Sequence, residues 1–127
     1  MTIRPRPPKQ RGLGHVRSAL RFAGAGLRFA WRHENAFRQE VVVAGLAAVV
    51  ALLLPVSWAS QAQLLGALIL VLGAELANTA LEQLCDAIFP DFDQRAKRVK
   101  DLGSALVLVA ILHAAVVWLF IVVDLWW

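Results

Sequence analysis

An apolar stretch that carries its own carboxylates constrains this chain more than any other feature. Within the run 64–88, the segment ELANTALEQLCD sets Glu75, Asn78, Glu82 and Asp86 at offsets of zero, three, seven and eleven. At about 100° per residue these positions share one face of a helix. Carboxylates inside a hydrophobic segment are costly and mark a functional site by default. The stripe therefore calls for a helix in an apolar setting that offers it a polar counterpart.

Two further apolar runs accompany it, one over 41–54 and one over the C-terminal part of the chain. The 127 residues are 59% hydrophobic and their mean hydropathy is +0.62. Such a chain is too apolar for an ordinary soluble domain and too short for several domains. The expectation is one small all-α integral membrane unit over 15–127. It has three transmembrane helices, at about 36–55, 63–88 and 102–125, behind an N-terminal amphipathic interfacial helix at 15–33. Residues 1–14 form a disordered basic arm. The run 41–54 is short for a span of about 20 residues, so its helix starts earlier. That start brings Glu40 and Glu34 to the membrane interface. Alone, two glutamates at a helix start are more often dipole partners and solvated charges than ligands.

The net charge of +4 is unevenly placed: Arg and Lys occur only before Val41 or between Arg95 and Lys100. In so apolar a chain this suits an anionic lipid surface better than nucleic acid. Arg17, Arg21, Arg28 and Arg32 recur on one side of the first helix, with Leu20, Leu27 and Trp31 on another. A helix patterned this way lies in the membrane plane, with Gly24 and Gly26 as candidates for a bend. The segment 56–63 carries no formal charge, whereas 89–100 is basic. The positive-inside rule then places the N-terminus and 89–100 in the cytoplasm, and 56–63 and the C-terminus outside. No apolar run follows the basic N-terminus closely, so a cleaved signal peptide is not expected. Cys85 is the only cysteine; it excludes an intrachain disulfide and reads as a small apolar filler. His113, in the third span, reads more readily as a packed residue than as a proton relay.

Sequence motifs for soluble nucleotide or zinc sites are missing: no Walker A pattern, no Gly-rich dinucleotide fingerprint, no HExxH and no CxxC. Carboxylates with an amide are the hard oxygen ligands that Mg²⁺ uses alongside phosphate oxygens, and a lysine beside them suits phosphate charge. Glu82 lies near the headgroup level, and Glu75 is about 10 Å deeper at 1.5 Å per residue. This depth difference suits phosphoryl transfer from a cytoplasmic nucleotide to a lipid alcohol. A transporter or channel with a carboxylate stripe fits the spacing equally well.

Three blocks occur in order: ENAFRQE at 34–40, ELANTALEQLCD at 75–86 and RAKRVKDLGSA at 95–105. Together they closely resemble the prokaryotic diacylglycerol kinase family, small membrane kinases unrelated to soluble kinases, over roughly 26–127. The E-x-x-N-[ST]-A-[IL]-E core and the K-D-x-G-S-A block carry the resemblance. The sister undecaprenol kinases share E-x-x-N-T-A-x-E, but their third block more often reads K-D-x-[AS]-[AS]-[AG]. KDLGSA looks more like the diacylglycerol branch.

The resemblance implies an ATP- and Mg²⁺-dependent homotrimer of the bacterial inner membrane that turns diacylglycerol into phosphatidic acid. By motif, Glu75 resembles the general base that takes the lipid hydroxyl proton. Glu34 and Glu82 resemble the metal ligands beside the nucleotide. Asn78, Lys100 and Asp101 match other active-site positions, with Lys100 near phosphate and Asp101 near the nucleotide. Glu40, Asp86, Arg38 and Ser104 match further polar positions of the pocket. The first helix departs from the familiar pattern. Phe22 stands where a tyrosine is familiar, and His15 or Arg17 where an arginine is, so Arg17 is a nucleotide contact by position only. An undecaprenol kinase, and a small oligomeric transport or scaffold protein, are the alternatives.

Overall fold

A computed structural model describes residues 12–127; the expected basic arm falls, up to residue 11, outside the described residues. The chain forms four α-helices: α1 (Leu13–His33), α2 (Asn35–Leu53), α3 (Trp58–Ile88) and α4 (Gln94–Asp124). The described residues contain no strand, and the all-α expectation holds. Helices α2, α3 and α4 are long and apolar enough to cross a membrane. The 19 residues of α2 reach about 28 Å at 1.5 Å per residue. The 31 residues of α3 and of α4 reach about 46 Å and overshoot a hydrocarbon core of about 30 Å. The excess carries the polar ends of both helices.

Capping chemistry explains where the helices differ from the hydropathy pattern. Helix α3 starts at Trp58, so most of the expected loop 56–63 is helical. Ser57 is its N-cap, with Oγ accepting from the Ser60 backbone N–H at 3.1 Å. Helix α2 stops where Pro55 disfavours helical backbone before it, and Leu54 is extended at φ −66° and ψ 136°. Helix α4 starts at Gln94 rather than near 102, so only 89–93 of the expected polar connector is non-helical. Its N-cap is Asp93, whose carboxylate accepts from the Arg95 backbone N–H at 2.7 Å and from the Arg95 guanidinium at 3.1 and 2.9 Å. The guanidinium bond first, and the backbone N–H next, hold Asp93 down from its ordinary 3.8 to about 2. Helix α1 begins at Leu13, two residues ahead of expectation, and runs unbroken through Gly24 and Gly26.

Packing rests on small residues. Ala67, Ala74 and Cys85 of α3 and Ala96, Gly103, Ala110 and Ala114 of α4 are buried. Short side chains let two backbones approach closely, as helix pairs in membranes favour. Leu64 is the one large side chain that is fully buried among the described residues. Phe37 and Ala51 anchor α2, and Ala30 anchors α1. Most Leu, Val, Ile and Phe side chains point outward, as lipid-facing surfaces require. The four arginines of α1, with Leu20, Leu27 and Trp31, are exposed.

The turn from α1 to α2 is a single residue, Glu34, at φ −112° and ψ 110°. Arg38 braces this corner. Its guanidinium donates to the Trp31 carbonyl at 3.4 Å and to Asn35 Oδ1. One tight corner thus fixes Glu34 beside the polar half of α3.

Candidate active site

The stripe on α3 gathers carboxylates from two other places in the chain. Glu75 is buried, with 6% of its surface accessible. The charges of Glu82 on the same helix and of Glu34 at the α1–α2 corner both bear on it, and Glu75 in turn acts on Glu40 of α2. None of these four glutamates forms an ion pair among the described residues. Lys100 is a cation that feels the charge of Glu82. Asn78 is buried and donates from Nδ2 to Glu82 Oε1 at 3.0 Å.

One cleft takes in Glu40 of this cluster, and another takes in Lys100. The first, of about 390 Å³, lies between α2, α3 and α4 and is walled by Val43, Leu68, Val71, Ala114 and Trp118, with Glu40 at its polar side. Glu40 Oε2 and Trp118 Nε1 are buried without hydrogen-bond partners. An apolar cleft with one orphaned acceptor and one orphaned donor suits a long apolar ligand with a small polar group. The other cleft, also about 390 Å³, lies where the connector meets α4 and is lined by Asp86, Asp93, Lys97, Lys100 and Asp101. There Lys100 Nζ pairs with Asp86 Oδ1 at 2.5 Å, and Lys97 Nζ with Asp101 Oδ2 at 2.6 Å.

The expected site residues thus fall into two neighbouring groups. Glu34, Glu40, Glu75, Asn78 and Glu82 form the deeper one; Asp86, Lys100 and Asp101 form the one at the polar helix ends. Arg17 is exposed on α1, Ser104 is exposed on α4, and Arg38 is committed to the α1–α2 corner. Lys97 belongs to the polar cleft although the motifs did not single it out; its four-residue spacing to Asp101 was the available signal. Gly103, buried against α3, lies in the K-D-x-G-S-A block, where the motif assigns it no role of its own.

Among the described residues, no three His, Cys, Asp or Glu side chains are placed to hold a metal ion. Mg²⁺ does not need three, because it takes one or two carboxylates and completes its octahedron with water and phosphate oxygens. Glu34 and Glu82 offer two carboxylates whose charges both bear on Glu75, with no salt-bridge partner among the described residues to offset them. A divalent cation bound with a nucleotide would relieve that repulsion, so the donor set fits Mg²⁺. The arrangement as a whole can hold a buried carboxylate near a lipid hydroxyl and a polyanion at the polar end.

Residues 21–122 match the prokaryotic diacylglycerol kinase family. The diacylglycerol kinase of Escherichia coli is 38% identical over 107 residues, covering 84% of this chain and 88% of that protein. That of Pseudomonas aeruginosa is 36% identical over 115 residues, 90% of this chain and 94% of the relative. That of Helicobacter pylori is 32% identical over 112 residues, 88% of each.

Proposed function

The chain belongs to the prokaryotic diacylglycerol kinase family, and from that premise we propose a direct phosphoryl transfer from ATP to diacylglycerol at the inner membrane. The enzyme is a diacylglycerol kinase; the residue roles are the proposal. The lipid enters along the apolar cleft between α2, α3 and α4, with its hydroxyl towards Glu75. Glu75 takes the hydroxyl proton as the oxygen attacks the γ-phosphorus, and the bond from that phosphorus to the ADP oxygen breaks. Glu34 and Glu82 would hold Mg²⁺, which when bound offsets charge on the phosphate oxygens. Asn78 orients Glu82, and Lys100 faces the phosphate from the polar cleft. Asp101 and Arg17 meet the nucleotide, while Glu40, Asp86, Arg38 and Ser104 complete the surrounding pocket. The working form is a homotrimer with the N-terminus and the polar ends of α3 and α4 in the cytoplasm, where ATP is.

The observation that carries this reading is that Glu34, Glu40 and Glu82 gather around buried Glu75, with an apolar cleft that takes in Glu40 and a polar one that takes in Lys100. Incubating the purified protein in mixed micelles with labelled ATP, Mg²⁺ and either diacylglycerol or undecaprenol tests it. Labelled phosphatidic acid is the expected product. Preferential labelling of undecaprenol would move the chain to the sister activity, and transfer to neither lipid would favour the transport or scaffold reading.

A further inference from the structure

Gly103 of α4 is buried and stands against the side chain of Asn78 on α3. A Cβ at Gly103 would collide with Asn78 Oδ1, lie 3.3 Å from Asn78 Cγ and lie 3.5 Å from Leu81 Cδ1. At Gly24, Gly26, Gly45, Gly66 and Gly73 a Cβ would meet nothing within 4 Å. Unlike those five, Gly103 has the space of its missing side chain occupied by something else, and that something belongs to the candidate site.

The orientation of Asn78 follows from its neighbours. Its Nδ2 donates to Glu82 Oε1 at 3.0 Å, and its Oδ1 is buried without a partner on the Gly103 side. Turning the amide over would set Oδ1 against the Glu82 carboxylate, two acceptors facing each other. The amide nitrogen must therefore face Glu82, and the oxygen must fit against α4. Only a residue without a Cβ leaves room for it.

We propose that Gly103 is a positioning residue: the space it leaves on α4 seats the Asn78 amide so that Nδ2 holds the Glu82 carboxylate. The catalytic consequence rests on the kinase reading above; the contact itself does not. Glycine in a helix interior is unfavourable relative to alanine, so the position carries a local cost that the Asn78 contact offsets. A loss on Gly103→Ala could not come from weaker helix formation.

The test compares Gly103→Ala in the parent and in an Asn78→Ala background. In the parent, kcat should fall by about 100-fold, the effect of a misplacement near 1 Å, with helix content and oligomer size retained. With Asn78 truncated there is nothing to collide with, and the same substitution should cost less than about two-fold beyond the loss already present, the mark of coupled neighbours. A second readout needs neither nucleotide nor metal. The side-chain amide resonances of Asn78 in micelles should shift in Gly103→Ala as the bond to Glu82 is lost. Unmoved amide resonances, or equal losses in the two backgrounds, would overturn the inference. Moved resonances in a protein that phosphorylates no lipid would uphold the contact and overturn the kinase reading instead.

Discussion

Lys100 Nζ stands 2.5 Å from Asp86 Oδ1, joining the polar end of α3 to the second turn of α4 across the 89–93 connector. The two side chains are 37% and 63% exposed. Pairs this exposed contribute little to stability, because water and salt screen them. Fixing where the ammonium group stands is therefore the larger effect of this contact, and it sets the ammonium in the cleft that also holds Asp101.

Lys100→Met should lower kcat/KM for ATP by about 100-fold, in the range seen when one preorganised charge-stabilising donor is removed. Asp86→Asn frees the ammonium without deleting it, so its loss should be much the smaller. Steady-state kinetics on both variants check this. Equal losses would give Asp86 a role in the reaction beyond holding the lysine.

Glu75 is the most buried carboxylate of the cluster. Glu75→Gln keeps the shape and removes the base, so turnover should fall by about 100- to 10,000-fold. Nucleotide binding, measured with a fluorescent ATP analogue, should be largely kept. A variant that turns over within a few-fold of the parent would remove Glu75 from the base position.

Glu34 and Glu82 reach Glu75 from different elements, the α1–α2 corner and α3 itself. If the two hold Mg²⁺ as proposed, replacing either with Gln halves the carboxylate donors. Half-activation should then need about ten-fold more Mg²⁺, the low end of the cost of disturbing a metal site. Activity against Mg²⁺ concentration at saturating ATP gives the value. An unchanged curve in both variants would count against the metal role.

The sequence made the stripe legible because its four positions share one helix and its period is local. It made the three spans legible because their hydropathy is continuous. The helix ends were harder to read, since hydropathy is blind to capping: Ser57 extends α3 through polar residues, and Asp93 extends α4 through a basic stretch. The approach of Glu34 and Glu40 to Glu75 was hidden for another reason. It depends on the one-residue corner at Glu34 and on how α2 lies along α3, which no single-segment pattern encodes. The Gly103–Asn78 contact is tertiary in the same way: the glycine is visible in the sequence and its partner is not.

The positive-inside arrangement predicts which ends of the helices an impermeant thiol reagent can reach. Cys85 is buried, with Sγ 3.9 Å from the Ala96 carbonyl, and Cys85→Ala gives a clean background. Ala59 and Gln94 are both exposed, in the first turns of α3 and α4. A cysteine at Ala59 should be labelled from outside intact cells, and one at Gln94 only after permeabilisation. The opposite pattern would put the carboxylate cluster on the side without ATP.

Assembly is the last expectation, and it follows from what one chain leaves uncovered. On α3, Gly66 and Gly73 have open space where a Cβ would be. They line clefts of about 560 and 640 Å³ that His113 also borders. Small residues beside such clefts let another helix pack closely in a membrane, and a histidine at that depth gains from a protein partner. A homotrimer would fill them. If each site in that trimer collects residues from two subunits, two inactive variants can restore one another. Glu82, on α3, and Asp101, near the start of α4, belong to the two separate groups of the candidate site. Mixing Glu82→Gln with Asp101→Asn subunits after denaturation and reassembly should therefore return part of the activity, since one site in a mixed trimer draws both unmutated residues. Mixed trimers confirmed by crosslinking but wholly inactive would place both residues in a site built within one subunit.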